Sequence, residues 1–286
     1  MTVAITERRV EANGVDFALR EAGDGPLALC LHGFPDNAHG YDAMLGALAG
    51  AGFHAVAPFM RGYWPTSIPV EGGYATADLT DDVLALIDAL GDGPAIVIGH
   101  DWGALAAMGA AMEHPDRVHR LVLIAANHPA ANLGHDAQYL KGIWHVFFFQ
   151  MAGASEVFIR NEFQFAIDWM RDSSPNWALP DAYAETVKRT LRHRGVAEAV
   201  IAYYRDSVRC ADDPREKRLS LSPITVPTLA LHGTADRPRR LDCFEAMDPH
   251  FTGGLTKHVL KGTGHFMHLE APEAVNSLVV DYLTRG

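Results

Sequence analysis

Apolar and polar residues alternate from residue 3 to residue 20, and Asn13-Gly14 sits inside that alternation. A period of two around an Asn-Gly pair predicts an antiparallel hairpin. Six short runs follow, at 27–31, 54–57, 95–98, 118–125, 227–231 and 255–260. Runs of that length read as strands buried within a sheet. Between them the apolar positions take helical spacing, over 41–51, 75–90, 102–114 and 272–283. Buried strands alternating with helices predict an α/β fold, with a mostly parallel central sheet covered by helices on both faces.

One segment departs from this rhythm. From about residue 129 to residue 221 there is no strand-like run, only helical patterns separated by Gly, Ser, Pro and Asp. The pattern predicts a core formed by residues 1–128 and 222–286, with an inserted helical cap at 129–221. The insertion carries half of the chain's Phe, Tyr and Trp residues, including Trp144, Trp169, Tyr203 and Tyr204. Most of these must fill the insertion's own core. A share of them, set over the carboxyl ends of the strands, would line an apolar pocket.

Composition narrows the function classes. With 286 residues, 48% of them hydrophobic and 21% charged, the chain is long and apolar enough for a large packed core. Its net charge of −11 weighs against nucleic acid or an anionic membrane as a partner. Cys30, Cys210 and Cys243 are too scattered for a disulfide framework or a zinc cluster, and Cys30 reads as a small buried hydrophobe. The first nine residues hold no apolar signal core and no stretch approaches a membrane span, so a cytoplasmic location is expected. A monomer and a homodimer are both compatible with the chain.

The chemistry concentrates at Gly99-His100-Asp101-Trp102-Gly103, between a predicted strand and a predicted helix. Glycines on both sides of one reactive residue permit a sharp strand-to-helix turn. The pentapeptide resembles the nucleophile elbow of the α/β-hydrolases, with a carboxylate in the usual place of serine. A carboxylate attacks alkyl carbon and leaves an ester that water must then cleave. Asp236 and His265 each follow a predicted strand, in the order nucleophile, acid, histidine that this fold uses. Taken singly, each would read as a turn or cap residue; the order is what carries weight. In His32-Gly33-Phe34-Pro35, the Phe34 N–H is the expected first oxyanion donor and the Trp102 N–H the second, while His32 reads as packing. No set of histidines shows metal-ligand spacing, and His265 with His268 lacks a third ligand, so neither metal nor cofactor is expected.

With these motifs the whole chain resembles the α/β-hydrolase-fold epoxide hydrolases of the Asp-nucleophile branch, relatives of the haloalkane and fluoroacetate dehalogenases. The resemblance implies hydrolysis of a lipophilic epoxide to a vicinal diol through an alkyl ester on Asp101, with water as the second substrate. The family commonly holds the epoxide oxygen with two cap tyrosines. The second position falls on Tyr204, with Tyr203 and Tyr183 as alternatives; the first aligns with His145, a departure that a smaller bacterial subset shares. A neutral histidine can donate one N–H, so a His145/Tyr204 pair suits the task. His145 as a satisfied core histidine is the competing reading. A haloalkane dehalogenase using Asp101, His265 and Asp236 is the alternative activity. Fluoroacetate is disfavoured, because Trp102 and Leu105 stand where that group carries arginines and nothing nearby supplies the charge. A non-catalytic protein that binds a small ligand would need no such triad.

Overall fold

Asn13 and Gly14 both take positive φ, 47° and 69°, the backbone of a two-residue hairpin turn. They join β1 (Thr6–Ala12) to β2 (Val15–Ala22), paired antiparallel as the alternation predicts. The remaining strands are β3 (Leu27–Leu31), β4 (His54–Pro58), β5 (Ala95–His100), β6 (Val118–Ile124), β7 (Thr228–Gly233) and β8 (Leu255–Leu260). They form one sheet of order β1-β2-β4-β3-β5-β6-β7-β8, antiparallel at β1, β2 and β4 and parallel from β4 to β8. In the computed structural model the described residues are 3–91, 93–131, 134 and 136–285. Residues 1 and 2 of the amino-terminal stretch, 92 and 286 of the expected core, and 132, 133 and 135 of the expected insertion lie outside them.

Every residue of β3, β5 and β7 is buried, so the centre of the sheet is covered on both faces. The covering helices are α1 (Asp42–Gly50), α2 (Thr76–Leu90), α3 (Trp102–Glu113) and, near the end of the chain, α10 (Leu241–Glu245), α11 (Met267–Glu270) and α12 (Pro272–Thr284). Helix α1 packs with α12, and α2 packs with α3. The parallel order brings the carboxyl ends of β3, β5, β7 and β8 to one edge. The loops that follow them carry Phe34, Asp101, Asp236 and His265. No helix among the described residues is long and apolar enough to cross a membrane.

Between β6 and β7 lie α4 (Ala137–Gly142), α5 (Trp144–Phe148), α6 (Ala154–Ser173), α7 (Asp181–Leu191), α8 (Val196–Arg209) and α9 (Pro214–Leu221). Helix α6 is broken at Asn161, Glu162 and Phe163, which take φ of 50°, 56° and 59°. The aromatics of this segment do more than fill it. Phe149, Phe158, Trp169 and Tyr204 all pack around the ring of Phe34, at centroid distances of 5.5, 5.8, 5.3 and 5.3 Å. The inserted helices and the loop after β3 therefore share one aromatic cluster. Helix α9 instead docks on α2 and α3, where Arg215 bridges Asp81 and Glu113.

A buried ion pair anchors the inserted helices to the core. Arg61 reaches both carboxylate oxygens of Asp82 on α2 and also donates to the Gly73 carbonyl. Asn13 from the hairpin turn donates to Asp82 as well, at 2.8 Å. The Arg61 carbonyl accepts the Tyr203 hydroxyl from α8 at 2.8 Å. Removing one member of a buried pair leaves the other charge uncompensated. Arg61→Met is expected to lower stability by about 3–5 kcal/mol, read as a fall in the denaturation midpoint. A loss within experimental error would mean that the Arg61–Asp82 pair does not hold this region of the core together.

Candidate active site

The turn at Asp101 has a conformation that few side chains adopt, φ 51° and ψ −116°. Close backbone packing holds it there. A Cβ on Gly99 would lie 2.4 Å from the Gly103 carbonyl oxygen, and one on Gly103 would lie 2.2 Å from that of Leu31. A Cβ on Gly33 would lie 2.4 Å from the Asp101 Cβ itself. The motif glycines are therefore required by contact, since none of the three has room for a Cβ.

The carboxylate of Asp101 has two distinct sides. Its Oδ1 accepts the Phe34 N–H at 3.0 Å. Trp102, the next residue, supplies the first N–H of α3 at the same turn. Its Oδ2 faces His265 Nε2 at 3.7 Å and the Arg239 guanidinium at 3.3 Å. His265 Nδ1 in turn meets Asp236 Oδ2 at 3.2 Å, and both of those side chains are fully buried. The His265 backbone N–H donates to the Ser173 carbonyl at 3.1 Å, and that of Phe266 to Ser174 Oγ at 2.9 Å. The end of α6 thereby fixes the histidine loop. Asp101, His265 and Asp236 come together as their order implies.

Charge in this cluster is coupled. Burial opposes ionisation of Asp101, but His265, Arg239 and His100 outweigh it and hold the carboxyl far below the usual range. Burial also lowers the His265 pKa, yet Asp236 and Asp101 together push it up to about 9. The resting site therefore holds a carboxylate beside an imidazolium at neutral pH.

Above Asp101 lies a cavity of about 520 Å³, lined by Trp102, His145, Trp169, Tyr204 and Arg239 among others. The Tyr204 ring stands edge-on to Phe34 and Trp102, at 5.3 and 5.1 Å; the Trp102 side-chain N–H lies beside its hydroxyl, whose own proton has no protein acceptor. Burial, with the Asp101 charge nearby, pushes this phenol well above its ordinary pKa, so it keeps its proton. The two alternative tyrosines are engaged elsewhere: Tyr203 with the Arg61 carbonyl, Tyr183 with Asp36. His145 is buried 5.4 Å from the Tyr204 ring, and its Nδ1 also lacks a partner. Burial drives the His145 pKa down to about 3, which keeps the ring neutral.

Other histidines serve the framework. His32 Nε2 accepts the Met60 N–H at 3.0 Å and the ring is fully buried, so its packing role matches the expectation. His268 turns to Asp36 at 3.2 Å. Asp36, His100 and His268 form the cluster of metal-ligating residue types among the described residues, and it excludes His265. The Asp36 oxygens are already occupied by Tyr183, the Asn37 N–H and His268.

Arg239 was not anticipated, and it corrects the view that no charge lies near Asp101. It belongs to Asp236-Arg237-Pro238-Arg239-Arg240, a run in which three arginines follow the acid. Arg237 does pair outward with Asp172, and Arg240 with Asp136 and Asp242. Arg239 turns inward, and its own N–H donates to Asp236 Oδ1 at 2.9 Å.

Known proteins agree with this architecture. The family profile of the alpha/beta hydrolase fold matches residues 26–272. An epoxide hydrolase of Caballeronia sordidicola is 40% identical over 118 residues, covering 41% of this chain and 36% of that protein. On that match the chain spans about a third of its relative. Epoxide hydrolase 3 of Mus musculus is 30% identical over 297 residues, covering 99% of this chain and 78% of that protein. An epoxide hydrolase from an endophytic Streptomyces has a solved structure similar to this one, with TM-score 0.79 and 25% identity over 98% of this chain and 95% of that one. The chain belongs to the α/β-hydrolase fold family, within its group of epoxide hydrolases.

Proposed function

We propose that this protein opens a lipophilic epoxide to a vicinal diol through an ester on Asp101, beneath a cap formed by the helices between β6 and β7. The observation that carries the reading is the Tyr204 hydroxyl. It is buried, protonated and without a protein acceptor for its proton, in the cavity that also exposes Asp101. Ring opening generates a basic alkoxide, and a positioned acid is what that step needs. Halide departure makes no such demand, so a retained phenol proton favours the epoxide over the haloalkane. Tyr204 is the main donor in this scheme, and neutral His145 supplies a second N–H to the same oxygen.

The two sides of Asp101 divide the work. Oδ1 stays in the Phe34 N–H, joined by the Trp102 N–H, and Oδ2 attacks the ring carbon as the carbon–oxygen bond breaks. The epoxide oxygen takes its proton from Tyr204. Loss of the Asp101 charge then lowers the His265 pKa, and the proton that His265 gives up restores the phenol. His265, oriented by Asp236, next takes a proton from water, which attacks the Asp101 carbonyl carbon. The oxyanion forms at Oδ1, where the Phe34 N–H is already bonded and the Trp102 N–H is the expected second donor. Collapse breaks the Cγ–Oδ2 bond, and the diol leaves with Oδ2 after receiving the proton from His265.

His265→Ala is expected to form the ester and fail to cleave it. Intact mass spectrometry after incubation with styrene oxide should then detect one covalent adduct that maps to Asp101. An unmodified protein that still consumes no substrate would contradict the scheme. Tyr204→Phe should reduce kcat/KM for styrene oxide by roughly 100-fold or more; unchanged turnover would move the preference to halide release from a chloroalkane.

The pH dependence separates the half-reactions. Asp101 is one of two carboxylates that raise the His265 pKa to about 9. Esterification neutralises it, so His265 in the ester titrates below that value. Single-turnover ester cleavage should rise with pH and level off below about 9, with ester accumulating on the acid side. Tryptophan fluorescence can follow the step, since Trp102 and Trp169 line the cavity. A rate independent of pH would remove His265 as the base.

A further inference from the structure

Arg239 poses a chemical problem for the proposed reaction. Its guanidinium lies 3.3 Å from Oδ2, the oxygen free of the Phe34 N–H and therefore the one that attacks. A donor on that oxygen engages the electron density the reaction must use. Once the ester forms, Oδ2 is a neutral, weak acceptor, and the cation loses its counter-charge. A guanidinium left at the wall of an aromatic cavity without an anion is unfavourable.

The rest of the cavity offers no substitute among the described residues. Arg240 is paired with Asp136 and Asp242, and Lys217 with Asp212. Glu216 lines the cavity but accepts the Ala77 N–H at 2.7 Å. Arg239 Nε is buried without an acceptor, so the guanidinium has donor capacity that Asp101 leaves unused. The main chain of Arg239 is fixed to Asp236, so the cation cannot withdraw with its loop without disturbing the residue that orients His265.

We propose that Arg239 recognises a carboxylate on the substrate, so that the preferred epoxides are oxirane carboxylates rather than hydrocarbon epoxides. The inference rests on the epoxide hydrolase reading and specifies its substrate class. A planar guanidinium binds a carboxylate through two parallel hydrogen bonds, the geometry in which arginine is strongest. The substrate anion draws Arg239 off Oδ2, releasing the attacking oxygen, and then remains as the counter-ion while Asp101 is esterified. The short Arg239–Oδ2 distance sets the size of the substrate. The carboxylate must lie within one or two bonds of the attacked carbon, as in a 2,3-epoxy acid. Trp102, Trp169 and Tyr204 leave an aromatic wall for the substituent on the far ring carbon. Addition of water across the carbon–oxygen bond then gives a 2,3-dihydroxy acid.

The test compares 3-phenyloxirane-2-carboxylate with neutral styrene oxide, using the wild-type enzyme, Arg239→Gln and Arg239→Lys. Wild type should prefer the carboxylate in kcat/KM. Arg239→Gln should reduce that preference by about 10–100-fold, the loss expected for a charge-assisted contact, mainly through KM. Arg239→Lys should retain part of it. An equal change for both substrates, or a wild type that prefers styrene oxide, would overturn the proposal while leaving the epoxide reading intact. Inactivity of wild type toward both epoxides would overturn the two together. A measurement that needs no variant is competitive inhibition of styrene oxide hydrolysis. The product analogue 2,3-dihydroxy-3-phenylpropanoate should bind at least 10-fold tighter than its carboxamide, and equal inhibition would again refute the assignment.

Discussion

The strained turn at Asp101 is the constraint on which the rest of the site depends. With φ 51° and ψ −116°, the residue presents its carboxylate at the end of β5, against the loop after β3. Such a backbone persists only where its surroundings over-determine it. Here the surroundings are three close contacts, Gly99 on Gly103, Gly103 on Leu31 and Gly33 on Asp101, none of which has room for a Cβ. The energy stored in the turn is offset by burial in the sheet beneath it, where β3 and β5 are paired in register from Ala28–Ile96 to Leu31–Gly99. The aromatic cluster around Phe34 then ties the inserted helices to the same turn. A shift in the elbow would disturb the N–H that holds Oδ1 and the rings that line the cavity at once.

Electrostatics follows from that geometry. Two carboxylates, Asp101 and Asp236, face two cations, His265 and Arg239, within a site closed to bulk water on the sheet side. The balance explains why burial, the largest single influence on both Asp101 and His265, does not decide the protonation of either. It also links the halves of the proposed reaction. Neutralising Asp101 unbalances the cluster and turns His265 from an ion-pair partner into a base. Tyr204 and His145 above feel the same charges, but burial is the largest influence on both and keeps each neutral.

The fold was legible in the sequence because its signals are local. Asn13-Gly14 marks the hairpin, each buried run matches a strand within a few residues, and the helices begin where the periodicity changes. The same holds for Asp101, Asp236 and His265, since each follows its own strand and a parallel sheet brings such positions to one edge. Tyr204 was less legible. Tyr203 and Tyr183 offer the same hydroxyl, and only distant contacts distinguish them: Tyr203 meets Arg61, and Tyr183 meets Asp36. Arg239 was not legible at all. Three nearby arginines look alike in sequence, and the one that turns inward is distinguished by contacts with residues remote or unremarkable in sequence, its guanidinium on Asp101 and its N–H on Asp236.

That bond gives one loop two tasks. Asp236 Oδ2 orients His265, while Asp236 Oδ1 holds the N–H of Arg239, whose guanidinium reaches the oxygen that the proposed reaction uses. The base and the charge on the attacking group are therefore set by opposite oxygens of the same carboxylate. A substitution at Asp236 cannot be read as loss of an orienting acid alone, because it also frees the loop that carries Arg239. The positions of the base and of the cation therefore rest on one loop conformation: a change in the backbone at Arg239 would disturb the carboxylate that aligns His265, whereas a rotation of the Arg239 side chain alone would not.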